Sequence, residues 1–259
     1  MEAKNIYRIA RKDFLEQRKK IILSIPAFIL ISFIFLLINI LRPQDSDIEL
    51  SNQLVPVYQK YYHTDSTDEL LKFILLNIKF PFLVLLPAFI TPIFYTIDSI
   101  NGEKLNRTLE SIFVLPIQDI EILVGKIVIG FLSGTFFSWI LYICYLIFIL
   151  LFESIKLFYH LLSLKWMLIS LLIVPTGAFF MNTIAIYFSV QINNIKNAQM
   201  LGFMAFIPFF IVFSLISHGL IIISAKFIIY SFIIMNFLNV LIFFLIIRLF
   251  KRERIILRY

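Results

Sequence analysis

The chain has 259 residues, of which 61% are hydrophobic and only 15% charged, with 30 Phe and a formal net charge of +7. A mean hydropathy of +0.95 excludes an ordinary water-soluble domain and makes the fold class an all-α integral membrane protein. With only 7 Gly and long unbroken apolar runs, the sequence also lacks the short alternating segments of a transmembrane β-barrel.

The first twenty residues carry seven Lys and Arg. Ile6, Ile9, Ala10 and Phe14 recur at helical spacing among them, which predicts an N-terminal amphipathic helix over 1–20 lying on the membrane interface. A first span follows over 21–41; it is longer than a signal-peptide core and has no small-residue cleavage site, so a retained span is expected. Residues 42–79 form the longest polar connection, with a short helix expected from Asp68 behind Ser66 or Thr67 and Leu70, Leu71, Ile74 and Leu75 on its apolar face.

A second span over 80–97 contains Pro81, Pro87 and Pro92, each of which removes a backbone donor. Residues 98–126 are then polar and helix-patterned. Leu105, Leu109, Ile112 and Phe113 follow i, i+4, i+7, i+8, and Glu103 stands one turn before Arg107 for an ion pair. Pro116 disfavours continuation, and Asp119 is a candidate N-cap for the next helix. Taken by themselves these residues describe either a docking element for a soluble partner or a solvated hairpin.

The third span, 127–152, holds Gly130 and Gly134 as a GxxxG, a pattern that lets helices approach closely and is expected to serve packing within the subunit. The fourth, 166–190, places Thr176, Asn182 and Thr183 at membrane depth. Together with Ser138 of the third span, Asn182 and Thr183 are the candidates for lining a substrate pathway. A polar loop over 191–199, a fifth span over 200–217, a sixth over 227–247 and a basic tail over 248–259 complete a single six-span domain.

Lys and Arg distribute as sixteen on the side of both termini and 98–126 against seven on the other. The positive-inside bias therefore predicts cytoplasmic termini and a cytoplasmic 98–126 segment. The positive charge is topological, and no nucleic-acid-binding module is visible. The six predicted spans contain no Asp, Glu, Lys, Arg or His, and the chain has neither HExxH nor GxSxG, so an intramembrane enzyme is not expected and no catalytic or metal-binding residue is assigned. His63, His160 and His218 are read as solvated loop residues, and the single Cys144 as a small core residue. A secondary transporter or channel working without an ATPase stays open on composition alone.

The residues Gly102-Glu103, Arg107-Thr108-Leu109-Glu110, Leu115-Pro116 and Gly125-Lys126 resemble the pattern of ABC-2 type permeases, the membrane subunits of ATP-driven exporters. Arg107 departs from it, since the family often has Gly before the Thr. The resemblance implies a plasma-membrane, multi-pass permease of a prokaryotic cell, paired with separate ABC-type ATPase subunits and with a second permease copy. It implies no directly bound cofactor; ATP and Mg belong to the ATPase subunits. That agrees with the absence of GxxxxGK[ST], since Gly125-Lys126 is followed by Ile127. It further implies that Gly102, Glu103, Leu105, Arg107, Thr108, Leu109, Glu110, Ile112, Phe113 and Pro116 form a coupling helix between spans 2 and 3. In it Glu103, Arg107 and Glu110 would orient the docking surface, and the apolar four would anchor it.

Overall fold

A computed structural model describes residues 3–41, 67–108, 116–217 and 223–249. Among these residues every regular element is helical. The connection 42–66, Leu109, Glu110, Ile112 and Phe113 of the coupling segment, His63, His218 and the tail beyond 249 lie outside the described residues.

The chain does not turn between an interfacial helix and a first span. Helix α1 (Ala3–Leu41) runs for 39 residues without a break. The junction, Glu16 to Ser24, holds no Gly or Pro and is built mostly from Gln, Arg, Lys and Ile, so nothing in the local sequence stops propagation. At 1.5 Å per residue α1 extends about 58 Å, roughly twice a 30 Å hydrocarbon core. The amphipathic face is also turned from the one expected. Ile9, Asp13 and Gln17, spaced four apart, are buried against protein, whereas Tyr7 and Phe14 are exposed.

Helix α2 (Thr67–Leu105) absorbs the short helix expected at 68, the second span and the start of the coupling segment into one element. Ile74 and Leu75 are buried, as a face toward neighbouring helices requires. Its three prolines sit inside the helix, and Thr91 Oγ1 donates back to the Pro87 carbonyl at 2.9 Å. Helix α3 (Asp119–Phe152) starts two turns before the predicted third span; Gln118, not Asp119, is its N-cap, and Asp119 is its first residue. Helix α4 (Ile155–Leu161) and helix α5 (Leu164–Leu168) then turn the chain back.

A π turn, Ile169–Ile173, joins α5 to helix α6 (Val174–Gln191). Its cause is legible in hydrogen bonds. Val174 donates to Ile169 in i→i−5 register, so the next donor would be residue 175 to the Ser170 carbonyl, but residue 175 is proline. Trp139 of α3 supplies the missing donor, its Nε1 reaching the Ser170 carbonyl at 2.9 Å. The polar stretch predicted as a loop over 191–199 is mostly helix α7 (Ile195–Met204), capped by Asn194 Oδ1 accepting from Lys196 N at 2.9 Å. The fifth predicted span is therefore divided between α7 and helix α8 (Ile207–Ser217), and helix α9 (Ala225–Leu249) closes the set.

Five stretches among the described residues are long and apolar enough to cross a membrane: Leu71–Leu105, Asp119–Phe152, Leu164–Gln191, Ile195–Ile216 and Ala225–Arg248. Helices α2, α3 and α6 pack together as the centre of the subunit. They approach closely because a Cβ at Gly134 would lie 2.9 Å from Ala178 Cβ and 2.9 Å from Pro92 Cγ, so only glycine fits. The GxxxG is thus spent inside the subunit.

His160 is not solvated. It is buried on α4, its ring edge-on to Phe73 at 5.2 Å. Burial, assisted by the charge of Lys165, lowers its pKa to about 4. A histidine neutral in the fold but protonated near 6.5 when unfolded leaves stability intact above pH 6.5 and removes it as the pH falls toward 4. We expect the melting temperature in detergent to drop between pH 7 and 4.5, by the equivalent of about 3 kcal/mol at most, and His160→Phe to flatten that part of the profile. An unchanged profile in His160→Phe would assign the acid sensitivity elsewhere.

Candidate functional site

Within residues 98–126, the described parts are the last turns of α2, a turn at Asn106 and Arg107, and the first turns of α3. Its chemistry is organised by α1 lying across both. A Cβ at Gly125 would lie 2.8 Å from Ile9 Cγ2, so glycine there is the seat on which α1 rests. One residue on, Lys126 extends beneath α1 and meets two carboxylates, Asp13 of α1 at 2.9 Å and Glu103 of α2 at 2.7 Å. All three are buried, with side chains 1%, 1% and 4% exposed for Lys126, Asp13 and Glu103. Ser99 bridges within the cluster: its Oγ donates to Asp13 Oδ2 at 2.8 Å and accepts from Lys126 Nζ at 2.7 Å.

Lys12 joins from the rim, 2.7 Å from Glu103 and 3.6 Å from Glu16. Burial pulls its pKa down, but the hydrogen bond and charge of Glu103, with Glu16 and Asp13, outweigh burial and leave it raised. Carboxylate oxygens of Asp13, Glu16 and Glu103 come within 4.8 Å of one another, a spacing that would suit a metal ion. The Lys126 ammonium already stands between Asp13 and Glu103, so the chain supplies its own cation and the cluster does not read as a metal centre.

Neighbouring residues of α2 tie α6 and α7 to the same place. Asp98 accepts from Lys20 of α1 at 2.8 Å and from Gln199 of α7 at 3.0 Å. Lys104 Nζ donates to the Ser189 carbonyl at 2.6 Å, satisfying an end of α6 where unpaired carbonyls and the helix dipole favour a cation. Asn101 donates to the Ile192 carbonyl at 3.1 Å, and Gln17 of α1 to the Tyr95 carbonyl at 2.8 Å. Residues 95–104 thereby hold α1, α3, α6 and α7.

This overturns two expectations. Glu103 does not form the predicted i, i+4 pair with Arg107, nor does it lie on an outer face; Lys12 and Lys126 take it inward. Helical continuity is also interrupted after Leu105, because α2 ends there and Arg107 has φ 56°. Arg107 N donates to the Lys104 carbonyl at 3.0 Å, closing the helix end with a left-handed residue where glycine is the usual choice. Leu105, Asn106, Arg107 and Thr108 are exposed and form the tip; Leu105 is 64% exposed. Gly102 is half-buried with nothing among the described residues within 4 Å of a Cβ built on it, and Pro116 is exposed ahead of α3.

The candidates at membrane depth lie apart from this cluster, wholly inside the subunit. Asn182 accepts from Thr96 Oγ1 of α2 and donates to the Ile127 carbonyl of α3 at 2.6 Å, linking three helices. Thr183 donates to the Phe180 carbonyl at 2.7 Å. Ser138 is fully buried, and its hydroxyl has no hydrogen-bond partner among the described residues.

The sequence matches the family described as ABC-2 family transporter protein over residues 7–251. The chain belongs to that family. No curated protein matches it. The match runs from α1 through α9 and so takes in the whole charged cluster. As an ABC-2 family protein the chain is a membrane transport component, a multi-pass permease of an ABC-type transporter. Three residues of the ABC-2 pattern now have physical roles in the subunit: Glu103 and Lys126 neutralise each other, and Gly125 admits α1.

Removing one partner of a buried ion pair strands the others. Lys126→Met is expected to destabilise the subunit by about 3–5 kcal/mol, measured as thermal unfolding in detergent, with Asp13→Asn in the same chain recovering part of the loss. At the tip the direction reverses. Arg107→Gly, which relieves a left-handed residue costing about 1–2 kcal/mol, should raise stability by up to about 1 kcal/mol after the added freedom of the unfolded chain is counted. A destabilised Arg107→Gly protein would show that the Arg side chain matters more than its backbone.

Proposed function

We propose that this permease works as a dimer of six-span subunits with two separate ABC-type ATPases, and exports its substrate at the expense of ATP bound with Mg on those partners. Residues 21–41 of α1 serve as the first span, added to the five long apolar stretches. Both termini and the α2–α3 turn face the cytoplasm, as the Lys and Arg distribution favours.

The observation that carries this reading is the convergence of side-chain bonds on residues 95–104. A push on the exposed tip cannot move α2 alone, because Asp98, Ser99, Asn101, Glu103 and Lys104 are bonded to four other helices. ATP-driven closure of two ATPases against the tip would therefore shift α1, α3, α6 and α7 as a unit, the rigid-body type of transition that alternates access across a membrane. Leu105, Arg107 and Thr108 meet the ATPase, continued by Leu109, Glu110, Ile112 and Phe113; Glu103 and Lys126 transmit from beneath. Gly102 also belongs to the contact, since nothing inside the subunit demands a glycine there. For the pathway, Asn182 is engaged in holding helices, and Ser138 is the candidate whose hydroxyl is unspent.

Co-purification of the permease with a Walker-motif ATPase tests this. Leu105→Glu, at an exposed position, should leave folding intact and weaken association at least about 30-fold, the scale of losing an interface hot spot of 2 kcal/mol. Tyr159→Glu, exposed on α4 at the far end, should leave association unchanged. Flux through vesicles that contain the permease alone and no ATP would sink the proposal in favour of a secondary transporter.

A further inference from the structure

Between residues 7–22 of α1 and residues 128–140 of α3 lies a groove of about 570 Å³ that the coupling role does not use. Val128, Leu132, Phe136 and Ile140 recur every fourth residue and make its floor. From Val128 to Ile140 that stripe rises about 18 Å at 1.5 Å per residue, close to the roughly 15 Å that one leaflet contributes to a 30 Å hydrocarbon core. Phe14 of α1 also lines it, and Tyr7 and Arg11, one turn apart, flank Ile9, which rests on Gly125 beside the charged cluster. The walls are otherwise apolar, and Tyr7, Phe14, Leu132 and Phe136 are exposed within the subunit.

We infer that this groove holds one phospholipid with an anionic headgroup, drawn from the leaflet on the side of the charged cluster. An acyl chain lies along the α3 stripe, and Arg11 and the Tyr7 hydroxyl bind the phosphate. Charge selects the occupant. Among the described residues Arg11 has no carboxylate partner, whereas the nearby Lys12 is held by Glu103 and Glu16. Guanidinium offers paired donors that match phosphate oxygens, and a phenol at the interface adds a hydroxyl with an apolar ring. Arg8, Arg18 and Lys19 are exposed on the same helix and raise the local concentration of anionic lipid without entering the groove. The inverted amphipathicity of α1 has the same logic: its polar Asp13 and Gln17 serve the protein side, and its Tyr7 and Phe14 serve the lipid side. The inference needs the chain to be membrane-embedded; it does not depend on a partner ATPase.

The test is native mass spectrometry of the full chain released from nanodiscs of phosphatidylglycerol or phosphatidylcholine. The wild type should retain one phosphatidylglycerol per chain in preference to phosphatidylcholine. Arg11→Gln should weaken retention about fivefold, the worth of one basic side chain at an anionic surface. Leu132→Trp, which fills the groove and leaves every charge in place, should also lose the lipid. Arg18→Gln, on the same helix but outside the groove, should keep it. Equal loss from Arg18→Gln and Arg11→Gln would reduce the effect to diffuse attraction and overturn the inference. So would full retention in Leu132→Trp, or disulfide-linked dimers formed through Leu132→Cys in a Cys144→Ser background, which would give the groove to a second copy.

Discussion

Lys126 sits under α1 with its ammonium between Asp13 and Glu103, and much of the subunit's geometry follows from that contact. Three charges removed from water are costly unless each is matched, so α1, α2 and α3 cannot separate or slide without exposing an unpaired ion. The constraint fixes the crossing point of three helices whose apolar faces alone would permit many registers. Glycine at 125 completes it, because any side chain there would lift α1 off its seat and pull Asp13 out of reach.

That contact also explains why the polar segment is not simply an appendage on two spans. Residues 95 to 104 are bonded to four helices, and among the described residues the exposed tip is the four that follow. A fold organised this way divides a segment that sequence alone assigned to one helix: the outward residues are exposed, while the inward ones bond the helices to one another. Glu103 belongs to the second group despite its charge. In water it would be an ordinary surface acid; beside Lys126 it becomes part of the interior.

Much of this was readable from residue order. Hydropathy located five apolar spans, and the Gly-Glu to Gly-Lys pattern pointed to the right family. What was not readable shares one physical cause: side-chain partners distant in sequence. Asp13 and Lys126 are separated by more than a hundred residues, and nothing local marks either as buried. The apolar positions of α1 suggested the wrong inward face because Ile9 was grouped with Phe14, when Ile9, Asp13 and Gln17 are the protein-facing row. A polar row at spacing four in a basic helix was the available signal. His160 was missed likewise, since its cover comes from Phe73, far away in the chain. Arg107, by contrast, was flagged by its departure from glycine, and its positive φ gives that departure a structural meaning.

The π turn before Pro175 has a mechanical consequence of its own. An intact α-helix resists bending because each turn is stitched to the next, but here the Ser170 carbonyl is stitched sideways to Trp139 of α3. The two halves of that transmembrane stretch are therefore joined by one less internal bond, and the first half is fastened to α3. The stretch therefore draws part of its stiffness from its neighbour, and its weakest internal joint is braced by α3 at Ser170 as it is further along at Asn182.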